Sequence, residues 1–222
     1  MFKLDTMKER KAQVEAEDGS ADKERTILRS AASAFARNGF SNTTMEDIAK
    51  RAGVAKGTLY LYFKSKHDLF TRMVIYMMSR VCTMIEGRVA TLTDPWEKLE
   101  CAMDTVFTTL QKYKETALLS DAPKSLSGGE LTRIREEGFT LVTLFESIIV
   151  ECQNAAPSPD RLNPRVLAMT LVNGLAAYAH GWGELKTSLP PPDDYLGAYK
   201  MLIRAAIPGL KRKKDNSGGQ RK

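Results

Sequence analysis

Residues Met45 to Phe63, MEDIAKRAGVAKGTLYLYF, constrain the fold more than any other part of the chain. Two short helical patterns lie on either side of Gly53, with no room between them for more than a tight turn. Helices that cross steeply over such a turn need a small residue where they touch and a glycine where the backbone reverses. Ala49 and Gly53 meet both needs, and Ile48, Ala52, Val54, Leu59 and Phe63 supply a shared core. With Leu59 and Phe63 committed inward, the second helix turns Lys56, Gly57, Thr58, Tyr60 and Tyr62 to other faces. Those side chains are hydrogen-bond donors suited to phosphate oxygens and base edges, and Gly57 permits close backbone approach. The pattern is a helix-turn-helix, whose second helix enters the DNA major groove.

Charge supports that reading locally. The chain of 222 residues has a formal net charge of +6, a weak indication of an anionic partner by itself. Between Arg37 and Lys66, however, the cations are Arg37, Lys50, Arg51, Lys56, Lys64 and Lys66, and the acids only Glu46 and Asp47. Lys66 stands at the start of the next helix, where backbone N–H groups already favour an anion, so it is expected on phosphate. Thr43-x-x-Glu46 and Thr44-x-x-Asp47 both fit the capping-box pattern, and the sequence does not decide between the two threonines. Any solvated helix face carries lysines, and tyrosines often pack half-buried, so the motif alone is weak.

The rest of the chain reads as helix throughout, with no run of alternating β-branched residues. A polar arm is expected over 1–21, followed by a DNA-binding region over 22–68. Its first helix runs from Asp22 to Asn38 and stops at Gly39. A regulatory and dimerisation bundle is expected over 69–208 and a basic, disordered tail over 209–222. Ser65 can cap a long helix. Asp94-Pro95 and Asn163-Pro164 are cap-plus-proline starts. A weaker helix is expected around Thr116–Asp121, and a loop at Ser127-Gly128-Gly129. Gly138, inside a helical pattern, implies a packing reason, since it costs about 1 kcal/mol against Ala.

The segment TTMEDIAKRAGVAKGTLYLYFKSKHDLF, preceded by RTILRSAASAFARNGF, resembles the DNA-binding domain of the TetR family of transcriptional regulators. The resemblance covers roughly residues 22 to 70. It implies an all-α protein: a three-helix DNA-binding domain joined to a larger helical bundle that binds a ligand and forms a homodimer. Double-stranded operator DNA, palindromic in sequence, and an unidentified small-molecule effector that releases it are the implied partners. The family's DNA contacts carry over to Thr43 or Thr44, Lys56, Gly57, Thr58, Tyr60, Tyr62 and Lys66. Ala55 stands where a serine is common, so a hydroxyl contact there is missing, and Tyr62 stands where a histidine is common.

Methionine and aromatic side chains make Met103, Phe107, Phe139, Phe145 and Glu146 the candidate ligand-binding set. The helix after Pro164 is apolar around most of its girth, which makes Leu171, Leu175 and Tyr178, with Leu202 on the last helix, candidates for the dimer interface. Cys82, Cys101 and Cys152 form no C-x-x-C pair, and no metal or cofactor is expected. A charged N-terminus and the lack of a membrane-length apolar run lead to the expectation of a cytoplasmic protein without membrane contact. No P-loop, G-x-G-x-x-G, H-E-x-x-H or G-x-S-x-G occurs, and His67 and His180 are the only histidines, so an enzyme is not expected. An activator, or a DNA-binding protein of the same fold without a ligand response, is the alternative to a ligand-released repressor.

Overall fold

The computed structural model describes residues 3–114, 126–181 and 190–207, with side chains described for 20–111, 126–178 and 190–207. Among the described residues there are eight helices and no strand: α1 Lys3–Asn42, α2 Met45–Ala52, α3 Lys56–Tyr62, α4 Lys66–Val89, α5 Pro95–Lys114, α6 Gly128–Ala155, α7 Pro164–Gly181 and α8 Pro192–Ala205. The helix expected around Thr116–Asp121, the tail 209–222 and the segment after Gly181 lie outside the described residues. The chain forms two compact units, one of residues 1–81 with 109–139, the other of 82–108 with 140–222.

In the first unit the backbone is helical from Lys3, where the sequence suggested an arm. Residues 3–18 hold no Gly or Pro and are mostly Lys, Glu, Arg, Gln and Ala, all good helix formers that need no apolar stripe. Gly39, with φ 76° and ψ 167°, breaks the helix as a kink, and a last turn continues to Asn42. That geometry suits glycine. It turns Phe40 back onto the core, with its ring 5.5 Å from Phe35 and 5.3 Å from Phe70. Ile27, Leu28, Ala31, Phe35, Ile48, Leu59, Phe63, Leu69 and Met73 close the core, with Leu126 packed against it. Ser65 Oγ accepts from the Asp68 amide at 3.0 Å and starts α4 as expected. Ser127 is a cap and not mid-loop: its Oγ accepts from the Glu130 amide, and its own amide donates to the Glu130 carboxylate at 2.7 Å. This capping box carries α6 through Gly128 and Gly129 and holds the Glu130 carboxyl below its usual range.

In the second unit Asp94 Oδ1 accepts from the Trp96 and Glu97 amides at 2.8 and 3.0 Å, and Asn163 Oδ1 from Arg165 and Val166 at 2.9 and 3.2 Å. Both expected helix starts are therefore in place. Leu99, Met103, Phe107, Phe145, Ile149, Leu171, Leu175 and Ile203 are buried together with Tyr178. Tyrosines bind α8 to α7. Tyr195 stacks on Tyr178 with centroids 4.0 Å apart, and its hydroxyl donates to the Gly174 carbonyl at 2.9 Å. The Tyr199 hydroxyl donates to the Thr170 carbonyl at 2.7 Å. Ion pairs Lys98–Glu151 and Lys200–Asp104, both 2.6 Å, tie α5 to α6 and to α8.

Candidate nucleic-acid interface

α2 is built to stay helical over only eight residues. Thr44 is its cap: the hydroxyl accepts from the Asp47 amide at 3.1 Å, while the Asp47 carboxylate accepts from the Thr44 amide at 3.0 Å. Those bonds hold the Asp47 carboxyl below its usual range. The choice the sequence left open is thereby made. Thr43 is fully buried and its hydroxyl donates to the Gly39 carbonyl at 2.7 Å, so its side chain is not presented to DNA. At the other end Gly53 adopts φ 69°, ψ 28°, and the Val54 amide donates to the Ala49 carbonyl at 3.0 Å. That left-handed residue sets the direction of α3.

α3 has no side-chain cap at Ala55. It is held by its core face, with Leu59 and Phe63 both fully buried. Lys56, Gly57, Tyr60 and Leu61 are exposed and Thr58 half-buried. Lys56 Nζ lies 3.1 Å from Glu46 Oε2 across the turn, and that hydrogen bond raises its pKa. Both side chains are more than half exposed, so water and salt screen the pair and leave Lys56 able to exchange Glu46 for a DNA acceptor. Beside them an open cleft of about 610 Å³ runs along Ser41, Thr44, Glu46, Lys56, Tyr60 and Lys64.

Two residues expected on DNA have other partners. Lys66 Nζ donates to the Phe40 and Thr43 carbonyls at 2.8 and 2.9 Å, with Ser41 O at 3.4 Å, and sits 4.4 Å above the Phe40 ring. Its donors are taken up by the end of α1 and the approach to α2, so it fastens those segments to α4 and is not poised as a phosphate cation. Tyr62 is half-buried, its hydroxyl 3.2 Å from Ser20 Oγ. Its carbonyl accepts from Arg72 Nη1 at 2.6 Å. Arg72 also pairs with Glu24 and covers the Phe63 ring at 4.6 Å. Sequence reasoning passed over Arg72 because nothing local marks it; it meets the end of α3 only through the fold.

The candidate ligand set is divided. Met103, Phe107 and Phe145 are buried in the second unit, and Glu146 there pairs with Arg165 at 3.4 Å, whereas Phe139 is exposed and belongs to the first unit. The candidate dimer set needs correction. Leu171 and Leu175 are 0% exposed and Tyr178 4%, so no partner could bury them further. Apolar surface on α7 and α8 is instead offered by Val166, Met169, Met201 and Leu202, with Leu202 65% exposed. Leu171 and Leu175 are one turn apart and share the face that its own bundle covers.

A capped positioning helix, a left-handed glycine turn and a short helix whose outer face is exposed define a helix-turn-helix of the DNA-binding kind. Residues 27–73 match the family model described as bacterial regulatory proteins, tetR family. The HTH-type transcriptional regulator YvdT of Bacillus subtilis is 26% identical over 151 residues, covering 66% of this chain and 75% of that protein. The fatty acid metabolism regulator protein of the same organism is 28% identical over 149 residues, covering 67% and 76%. The crystal structure of the transcriptional regulator FadR from Bacillus subtilis in complex with stearoyl-CoA has a similar fold, with a TM-score of 0.66 at 21% identity over 84% of this chain and 99% of that one. Residues 27–73 therefore carry the DNA-binding region of the TetR family. The protein is a DNA-binding transcriptional regulator. No helix among the described residues is long and apolar enough to cross a membrane.

Proposed function

We propose that the protein is a repressor that occupies an inverted-repeat operator as a dimer and is released by a long-chain fatty acyl thioester. The observation that supports the DNA half is the α2–α3 geometry, with Thr44, Lys56, Thr58 and Tyr60 on or beside the outer face of a helix anchored by Leu59 and Phe63. Two such helices in a two-fold dimer reach major grooves about 34–36 Å apart or a multiple of that, and so call for an inverted repeat. Support for the ligand half comes from the fatty acid metabolism regulator, whose match covers three quarters of its length and so extends beyond the DNA-binding region.

An acyl chain needs an apolar slot, and the buried methionine and aromatic side chains Met103, Phe107 and Phe145 are the material from which one is made. Glu146, bound to Arg165, has no part in holding an anionic thioester. Release follows only if the ligand prefers the conformation that cannot span both half-sites, because equal affinity for the two states shifts nothing.

The test uses full-length protein and the duplex it selects from a random pool. Fluorescence anisotropy on that duplex is measured with stearoyl-CoA, octanoyl-CoA, coenzyme A and free stearate. Stearoyl-CoA is expected to weaken binding by roughly tenfold or more, and coenzyme A alone to leave it unchanged. Unchanged binding with every acyl thioester refutes the ligand class and leaves the DNA reading standing. Recovery of no preferred sequence refutes the DNA reading.

A further inference from the structure

Leu61 is 84% exposed, the highest exposure of any large apolar side chain among the described residues. A lone leucine on a surface is ordinary; its address on α3 is not. At 3.6 residues per turn, Leu61 lies about 160–200° around the helix from Leu59 and Phe63, the two side chains that fix α3 to the core. It therefore marks the outermost line of the recognition helix, one turn after Gly57. An added Cβ on Gly57 would meet nothing within 4 Å, so this line is open along its length. Tyr60, 48% exposed, and Lys56 lie one turn apart on the same side of this line, about 100° and 140° round from Leu61, and offer polar tips there.

We infer that Leu61 reads a thymine in each operator half-site through the C5-methyl group. The inference rests on the DNA reading above and adds a base and an atom to it. A leucine has no hydrogen-bond donor or acceptor in its side chain. Along the base edges of the major groove the thymine methyl is the projecting apolar group; cytosine offers only a flat C5–H at that place, and the purine N7, O6 and N6 and the pyrimidine N4 and O4 are donors or acceptors that leucine would strip of water without replacing. Gly57 lets the helix descend far enough for a four-carbon side chain to reach the base edge. The geometry thus puts the apolar contact from Leu61 on the outermost line of α3, with the polar side chains of Lys56 and Tyr60 together on one flank of it.

Deoxyuridine differs from thymidine only by that methyl group, which makes it the direct probe. The duplex selected by the full-length protein is remade with deoxyuridine at each thymine in turn, symmetrically in both half-sites, and titrated with wild type and Leu61→Ala. Wild type is expected to lose about fourfold per half-site, and about fifteenfold for the pair, at one position only. Leu61→Ala is expected to bind the thymine duplex more weakly and to be indifferent to deoxyuridine at that position. It should keep the wild-type response elsewhere and the wild-type unfolding midpoint, because a side chain this exposed holds no core. Wild type indifferent to every replacement, or Leu61→Ala as sensitive as wild type, overturns the inference; the first result would place Leu61 against sugar and phosphate instead. Both leave the DNA reading intact, which fails separately if no sequence is selected.

Discussion

Replacing Gly174 with alanine tests how α7 and α8 are held together. A Cβ built at Gly174 would stand 2.2 Å from the Tyr199 hydroxyl oxygen, 2.5 Å from Cζ and 3.0 Å from Cε2. These atoms belong to a rigid ring, and the hydroxyl is bound to the Thr170 carbonyl at 2.7 Å while the ring stacks on Tyr195 at 5.7 Å. Relief requires the ring to retreat by roughly an ångström or more, which breaks that exposed bond and a part-buried one to the Leu171 carbonyl at 3.2 Å, together worth about 1–3 kcal/mol, and disturbs an aromatic pair worth about 0.5–1.5 kcal/mol. Alanine's better helix propensity offsets about 1 kcal/mol. The net expectation is a loss of about 1–3 kcal/mol, read as a lower urea midpoint with an unchanged slope. Gly138→Ala is the control. Its Cβ would meet only Met78 Cε at 4.0 Å, so the packing reason expected from sequence is absent and the same propensity gain should raise stability. In a Tyr199→Leu background the Gly174→Ala penalty should shrink, a coupling expected between residues in contact. Gly174→Ala as stable as wild type, or the two changes strictly additive, would refute the reasoning.

Lys66→Met keeps the aliphatic stem and removes the donors to Phe40 and Thr43. It should destabilise the protein by about 1.5–3 kcal/mol without altering sequence preference; an unchanged unfolding midpoint, with the salt slope of DNA binding reduced by about two per dimer, would instead return Lys66 to phosphate. Leu202→Glu should give a folded monomer by sedimentation velocity, whereas Leu175→Glu, placing a charge where the side chain is 0% exposed, should lose helical circular dichroism; a dimeric Leu202→Glu protein would sink this choice of face. Burial pushes the Tyr199 phenol from its usual 10.0 up to about 12. Its neutral form is favoured in the folded state, so the stability it contributes is whole below pH 10 and is lost as pH rises toward 12. Tyr199→Phe should flatten the fall in urea midpoint over that window.

How far the sequence could be read depended on the range of the interaction that fixes each feature. The starts at Asp94, Asn163 and Ser65 were visible because a cap and the amides it satisfies lie within three residues. The Ser127–Glu130 box is equally local, but two glycines inside it look like a loop. The helix from Lys3 escaped notice because a solvated helix leaves no stripe. On α7 the limit is of another kind: a helix apolar on most sides does not say which side its own bundle covers, and the fold buries Leu171 and Leu175, which the sequence alone offers equally to a partner.

Lys66 shows the same limit within the site. Its position beside a helix start suits an anion, yet its partners are carbonyls that Gly39 brings round by adopting a φ of 76°. No pattern near Lys66 encodes that turn, which lies in a different helix. What the local pattern did encode was the inward pair Leu59 and Phe63, and everything useful about the recognition face follows from that pair by geometry. Once those two side chains are fixed, Gly57 and Leu61 have no choice but to face away from the core, while Lys56, at the first turn, and Tyr60 reach solvent from the flank. Tyr62 lies near the core edge and takes up Ser20, while its carbonyl takes up Arg72. The face offered to DNA is therefore set by what the core does not use, and this is why one buried pair constrains the interface more tightly than the tally of lysines around it.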